Sequence, residues 1–270
     1  MRAAAVGLGL AGLLFANEAM AADYLRGATY EGPTESYNWA GVYVGGQVGY
    51  TGADFDFGNS AQSQIADIVR STTIENEAHV SQLLKLPVKS GNAASFGGFV
   101  GYNAQWGDAV IGFEANYSHT NISAASADAI GRSFTTSDGY FNNVIQNANA
   151  TARLTDYGTM RFRAGWAAGY FMPYLMGGLA VGAVDYTRYA FINIQSTDPN
   201  GVMPNLALVD SRTETRNGQI TFGYMFGGGV DIGLLPNLFL RGEYEWVQFI
   251  PVGGITIQTN TFRTALALKF

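Results

Sequence analysis

Residues 39–50 read WAGVYVGGQVGY. Val42, Val44, Val48 and Tyr50 share one parity, while Gly41, Tyr43, Gly45, Gln47 and Gly49 occupy the other. Period-two alternation of this kind marks a β-strand with two unlike faces. It does not say which face is inside. A soluble barrel buries its apolar face, and a membrane barrel turns that face to lipid. The remainder of the chain decides between them.

The N-terminus, MRAAAVGLGLAGLLFANEAMAADY, carries Arg2, an apolar run from Ala3 to Ala16, and small residues ending in Ala19, Met20 and Ala21. This layout predicts a secretory signal over residues 1–21, cut between Ala21 and Ala22. A membrane anchor needs about 20 consecutive apolar residues, and the run is shorter. No later segment is long and apolar enough for a membrane helix. Residues 22–38 read as a polar periplasmic linker broken at Gly32 and Pro33, and residues 39–270 as one β-barrel domain. The chain holds 35 Gly, 15 Tyr, 17 Phe and no Cys, so an exported protein here does without disulfides. Net charge is −6, which argues against nucleic acid, whose binding needs basic patches. Charged residues make up 13% of the chain, against about 25% in soluble domains. Lysine occurs only at Lys85, Lys89 and Lys269, so the usual covering of a soluble surface is missing.

Alternation recurs eight times. Strands are expected from residue 39 and over 95–103, 109–118, 152–167, 174–186, 219–231, 238–246 and 260–270. In the fifth, Leu175, Leu179, Val181 and Ala183 share a face across a Gly-Gly interruption. The links after the second, fourth and sixth strands need only about four to six residues, within the hairpin range. Those at residues 53–93, 119–151 and 187–218 take roughly thirty to forty, and 247–259 is intermediate. Short turns on one rim and long loops on the other form the layout of an outer-membrane barrel. The expected fold is therefore all-β: an eight-stranded antiparallel up-and-down transmembrane β-barrel with short periplasmic turns and long extracellular loops.

The charges settle the faces. Glu114, Arg161, Arg163, Arg241, Glu243, Glu245 and Arg263 all lie within strands, on the parity shared with Gly and Ala. Arg and Glu interlock as bidentate pairs, and an eight-strand lumen is only wide enough for side chains. The opposite parity is a nearly unbroken set of Leu, Ile, Val, Phe, Tyr and Trp, with aromatic residues at strand ends as interfacial girdles require. The apolar face of WAGVYVGGQVGY therefore points to lipid, and the seven charged residues form an ion-pair network filling the lumen.

These segments also carry a family resemblance. WAGVYVGGQVGY, GGFVGYN, VIGFEANY, TMRFRAGW, MPYLMGGLAVG, GGGVDIGL, LFLRGEYEW and FRTALALKF, in this order, resemble the small porin-like, immunogenic outer-membrane barrels of alphaproteobacteria. The resemblance spans essentially the mature chain and implies residence in the cell outer membrane, with the bilayer and lipopolysaccharide as surroundings. Where that family commonly has a polar residue after the Gly-Gly of its second strand, this chain has Phe99, which implies a drier stretch of lumen. The terminal Phe270, preceded by Phe262, Leu266 and Leu268 on one parity, is similar to the C-terminal signal read by the barrel-assembly machinery. The loops match no pattern, so the extracellular partner is unknown.

Little points to chemistry, and neither a cofactor nor a metal is expected. Glu243 and Glu245 lie two apart like a carboxylate pair, but beside Arg241 they read as ion-pair partners. His79 and His119 have no second ligand at metal spacing. Ser118–His119 is similar to the Ser and His of the lipid A deacylase barrel, yet the order is reversed and no acidic residue follows within the next eight. The leading expectation is a non-enzymatic structural barrel with surface-contacting loops. A narrow pore for ions or small solutes and an embedded lipid-modifying enzyme are the alternatives. Leu266→Arg tests the face assignment: with Leu266 near the bilayer midplane it is expected to cost ~2–4 kcal/mol by urea titration in micelles, and a neutral result reverses the faces.

Overall fold

The computed structural model describes residues 37–270, so the expected signal and nearly all of the expected linker lie outside the described residues. Eight antiparallel strands follow one another: β1 (Gly41–Asp56), β2 (Lys89–Trp106), β3 (Ala109–Thr135), β4 (Phe141–Trp166), β5 (Phe171–Thr197), β6 (Leu206–Leu235), β7 (Leu238–Phe249) and β8 (Thr256–Lys269). Each pairs with the next, and β8 returns to β1, closing the ring. Within the lipid-embedded ring, closure satisfies the strand edges, which a bilayer demands because hydrocarbon offers no hydrogen bonds.

The apolar parity lies outside. Val42, Val44, Val48 and Tyr50 are exposed, while Tyr43 and Gln47 are buried. The same division holds for Phe96, Val100 and Tyr102, for Met160, Phe162 and Trp166, and for Phe222, Tyr224 and Phe226, all exposed. In β5, Leu175 and Leu179 are among the most exposed apolar residues at 74% and 70%, so the face expected across the Gly-Gly interruption is the outer one.

The strand ends depart from expectation. Residues 119–151 and 187–218 are not loops; they are the continuation of β3 into β4 and of β5 into β6, with turns only at residues 136–140 and 198–205. Alternation persists there, but the outer positions change character. On β4 the exterior passes from Met160 and Phe162 to Arg153, Thr151, Asn149 and Asn147, while Leu154, Ala152, Ala150 and Ala148 stay buried. A wall that ceases to be apolar outside has left the lipid. Register shifts line up at this height, between His119 and Ile122 on β3, Leu154 and Asp156 on β4, and Val184 and Tyr186 on β5. On β4 the shift moves the buried residues from odd numbers (Tyr157, Thr159, Arg161) to even ones (Leu154, Ala152), as a β-bulge does.

The region expected as a loop at residues 53–93 divides between the ends of β1 and β2 and a helical cap. The cap comprises α1 (Gln62–Ile68), α2 (Thr73–Ala78) and a 3₁₀ turn at Val80–Gln82. Its Phe57, Ile65, Val69, Val80 and Leu84 form one buried cluster with Val144, Ala148, Leu154, Ala190, Ile192 and Ile194 of the projecting strands. Gln146 Nε2 donates to Val80 O at 2.7 Å, fixing the cap to β4. The last connection is a tight turn rather than a loop, with Val252 and Ile255 bridged through Gly253 and Gly254, both at positive φ. At the opposite rim Trp39 lies against Phe239 (5.9 Å between centroids) and Tyr37 (4.3 Å), making a floor of aromatic rings.

Candidate functional site

The inward positions of β3, β4, β6, β7 and β8 converge on one network. Glu114 is its hub: its Oε1 accepts from Arg161 Nε at 3.0 Å, and its Oε2 accepts from Arg241 Nη1 at 2.8 Å and from the Tyr43 hydroxyl at 2.8 Å. Arg161 Nη1 then donates to Glu243 Oε1 at 2.8 Å and to Glu245 Oε2 at 2.9 Å. Arg263 pairs with Glu245 and reaches Asn116 Oδ1 at 3.2 Å. All seven residues expected in the lumen are brought together, each at most 5% exposed.

The sequence reading missed three members. Asp231 accepts from Arg163 Nη2 at 2.6 Å and from Arg241 Nε at 2.8 Å. Tyr43 accepts from Arg163 Nη1 at 2.8 Å while donating to Glu114. Tyr174 donates to Glu243 Oε2 at 2.7 Å, with Arg163 stacked 3.8 Å over its ring. Each lies on the inner parity, so parity was the signal that finds them. Charge counting demands Asp231 as well: four arginines against Glu114, Glu243 and Glu245 leave one positive charge, and Asp231 brings the sum to zero. Phe99 is buried with Arg241 at 4.4 Å over its ring, the dry stretch of lumen expected at that position. Glycine makes room for the rings: a Cβ on Gly101 would stand 2.3 Å from the Tyr43 hydroxyl oxygen.

The lumen is filled in layers above this network. Gln47, Asn116 and Ser118 hydrogen-bond one another, then Thr51, Thr261 and Tyr157. Phe55, Leu154, Phe249 and Ile257 follow as an apolar ceiling beneath the cap. Higher still, Arg188 ties the head together. It pairs with Glu214 and donates to Ser60 O, Ser63 Oγ and Gly253 O, each at 3.0 Å. Arg188 and Arg216 hold the Glu214 carboxyl below the ordinary carboxylate range.

The other candidates are not assembled. Ser118 points into the lumen and is 2% exposed, whereas His119 is outside, its Nδ1 2.7 Å from Asp156 Oδ1. A strand puts consecutive side chains on opposite faces, so these two cannot act on one substrate. Glu243 and Glu245 are both engaged by guanidinium groups. His79 ends α2 in the left-handed region and belongs to the cap, apart from His119 on β3. Phe262, Leu266 and Leu268 form an exposed row on the outer face of β8, and Phe270, just past its end, is exposed as well.

Residues 8–270 match the family of the outer membrane protein beta-barrel domain. The chain belongs to that family. It is an integral outer-membrane β-barrel, and its exposed apolar band is the lipid-contacting surface. The 31 kDa outer-membrane immunogenic protein of Brucella melitensis is 27% identical over 246 residues, covering 87% of this chain and 82% of that protein. The protein of the same description from Brucella suis is equally similar. Among solved structures, the attachment invasion locus protein Ail of Yersinia pestis superposes with a TM-score of 0.31 at 10% identity, covering 85% of this chain and 99% of Ail. Neisserial surface protein A gives 0.36 at 12%, covering 86% and 98%. Both superpositions are too loose to carry any argument about this barrel.

Removing one member of a buried ion network strands its partners without solvent. Arg161→Met in the outer-membrane barrel is expected to cost about 3–5 kcal/mol in denaturant titrations, because Glu114, Glu243 and Glu245 all lose a donor. Arg70→Ala, at the exposed pair with Asp67, is expected to stay within about 0.5 kcal/mol. Equal costs would mean that the lumen is wet.

Proposed function

We propose that this protein is a structural outer-membrane barrel, neither a channel nor an enzyme, that contributes to envelope integrity and carries an ordered head for contact at the cell surface. The carrying observation is the continuity of its filling. Aromatic floor, neutral ion network, hydroxyl and amide layer, apolar ceiling and helical cap follow one another along the axis. Open aqueous channels belong to barrels of about sixteen strands, where side chains no longer fill the interior. An eight-strand ring occupied in this way has no continuous column for water.

The pore reading would need mobile side chains in the network, yet every carboxylate there has at least two donors. The enzyme reading has its best remaining site at the outer pair of His119 and Asp156, where Tyr117 also donates to Asp156 at 2.6 Å. The Tyr117 hydroxyl donates to Asp156 and not to the imidazole, so the cluster offers no hydroxyl paired with a base. In planar bilayers the purified protein is expected to give no steady unit conductance; a reproducible open level of defined size overturns the sealed reading.

Two further assignments belong to this proposal. Residues 1–21 are removed on export and residues 22–38 form the periplasmic linker. The row Phe262, Leu266, Leu268 and Phe270 is what the assembly machinery reads, its support being an apolar edge ending in an aromatic residue. The intact mass of protein extracted from outer membranes is expected to begin at Ala22, and a chain lacking Phe270 is expected to be depleted there. A mass beginning at Met1, or undiminished insertion, rejects the respective assignment.

A further inference from the structure

Above the lipid, β6 has a neighbour on one side only. Residues 206–216 pair with β5, whereas β7 joins β6 only from Gly223 onward. Among the described residues, no strand lies along the other side of 206–216, and most of its side chains are exposed. Such an edge presents a row of unpaired backbone donors and acceptors, and proteins ordinarily blunt it with Pro, Lys, a bulge or a cover. This one, LALVDSRTETR, has no Pro, Gly or Lys.

Its charges alternate instead. Asp210, Arg212, Glu214 and Arg216 share the face of Ile192, Ala190, Arg188 and Tyr186, their partners on β5. Ser211, Thr213 and Thr215 share the other face. Laying a second copy antiparallel about Thr213 puts Asp210 opposite Arg216, Arg212 opposite Glu214, and the reverse pairs by symmetry. Ser211 then meets Thr215 in a ladder of hydroxyls. Every charge faces its opposite, and directly opposed pairs of this kind stabilise a sheet. Sliding the centre by one residue to Arg212 opposes Arg212 to itself and Asp210 to Glu214. Sliding it to Glu214 opposes Glu214 to itself and Arg212 to Arg216. The segment therefore complements itself in one register and repels itself in the adjacent two. In the single chain Glu214 is held by Arg188 and, at 3.1 Å, by Arg216; Asp210 Oδ1 accepts from the Ser211 N–H at 2.7 Å, and neither Asp210 nor Arg212 has an ion-pair partner among the described residues.

We propose that this free edge is a homotypic docking surface whose occupant is a second copy of the chain, added antiparallel about Thr213. The two-fold axis of such a pair is perpendicular to the sheet, so the two barrels point in opposite directions. The contact therefore joins proteins in two facing membranes rather than neighbours in one. Thr213 lies six residues beyond Gln219 at the register shift, about 20 Å along the strand at ~3.3 Å per residue. β6 runs seven residues past Thr213 to Leu206, about 23 Å more, so with the bridged membranes ~40 Å apart each head tip meets the surface of the opposing membrane. This inference goes beyond the sealed-barrel reading and is independent of it, since a conducting barrel presents the same edge.

Two charge reversals test it, each checked for folding by heat-modifiable gel migration. Asp210→Arg and Arg216→Asp each oppose like charges twice in a homotypic pair, and their mixture restores opposite charges at both contacts. Wild-type protein in phosphatidylcholine vesicles is expected to cluster them, as read by light scattering, and to sediment as a dimer in detergent. Each variant alone is expected to lose ~tenfold or more in association, and mixing vesicles of the two is expected to restore clustering. A wild-type protein that stays monomeric and unclustered overturns the proposal. So does a mixture that fails to recover, or an edge that captures an unrelated extended peptide while ignoring its own kind.

Discussion

Four guanidinium groups and four carboxylates share a space closed off from bulk solvent, and their charges cancel. The rest of the molecule depends on that cancellation. A wall turned inside out places its greasy side chains in hydrocarbon, so whatever fills the interior must satisfy itself. Isolated charges there would cost several kcal/mol each. Hydrogen-bonded as they are, with Tyr43 and Tyr174 supplying hydroxyls to the carboxylates, they fill the ring and cross-link strands that are not neighbours. Arginine suits this work better than lysine, because its planar fork engages several acceptors at once. The near absence of lysine and the abundance of arginine within strands express one constraint.

The wall changes its rules at the line of register shifts. Below it, charge lies inside and hydrocarbon-loving side chains outside. Above it, apolar residues lie inside under the helical cap, while amides and hydroxyls face outward. The upper storey is an ordinary half-buried sheet with helices on one face, and the lower is its inverse. The bulges mark where one arrangement gives way to the other, and the β4 bulge exchanges the parity that does so.

The lower storey was legible in sequence because lipid imposes a strong, uniform signal: every second residue apolar, interrupted by Arg and Glu on the other parity. Strand number, faces and the seven charged lumen residues all follow from it. The upper storey was not legible as strand. Its outward residues, such as Asn147 and Asn149, are loop formers by propensity, and its inward ones, such as Ala148 and Ala150, are too small to announce a core. Only their tertiary partners on the cap make them a sheet. Asp231 was passed over for another reason. It ends a glycine-rich run, where a lone acidic residue resembles turn chemistry until the charges are summed.

The lumen network also dictates an order of events as the chain reaches its final form. Glu114 comes from β3, Arg161 from β4, Asp231 from β6 and Arg241 from β7, so partners such as Glu114 and Arg241 are 127 positions apart. The β3–β4 hairpin cannot neutralise itself, because it brings two arginines for one glutamate. A sheet that ends before β6 therefore keeps a net positive charge on its concave side, which holds water there and disfavours entry into lipid. Asp231 on β6 brings the net charge to zero, but Glu114 and Arg161 gain their partners Arg241, Glu243 and Glu245 only with β7, so ring closure and dehydration complete together.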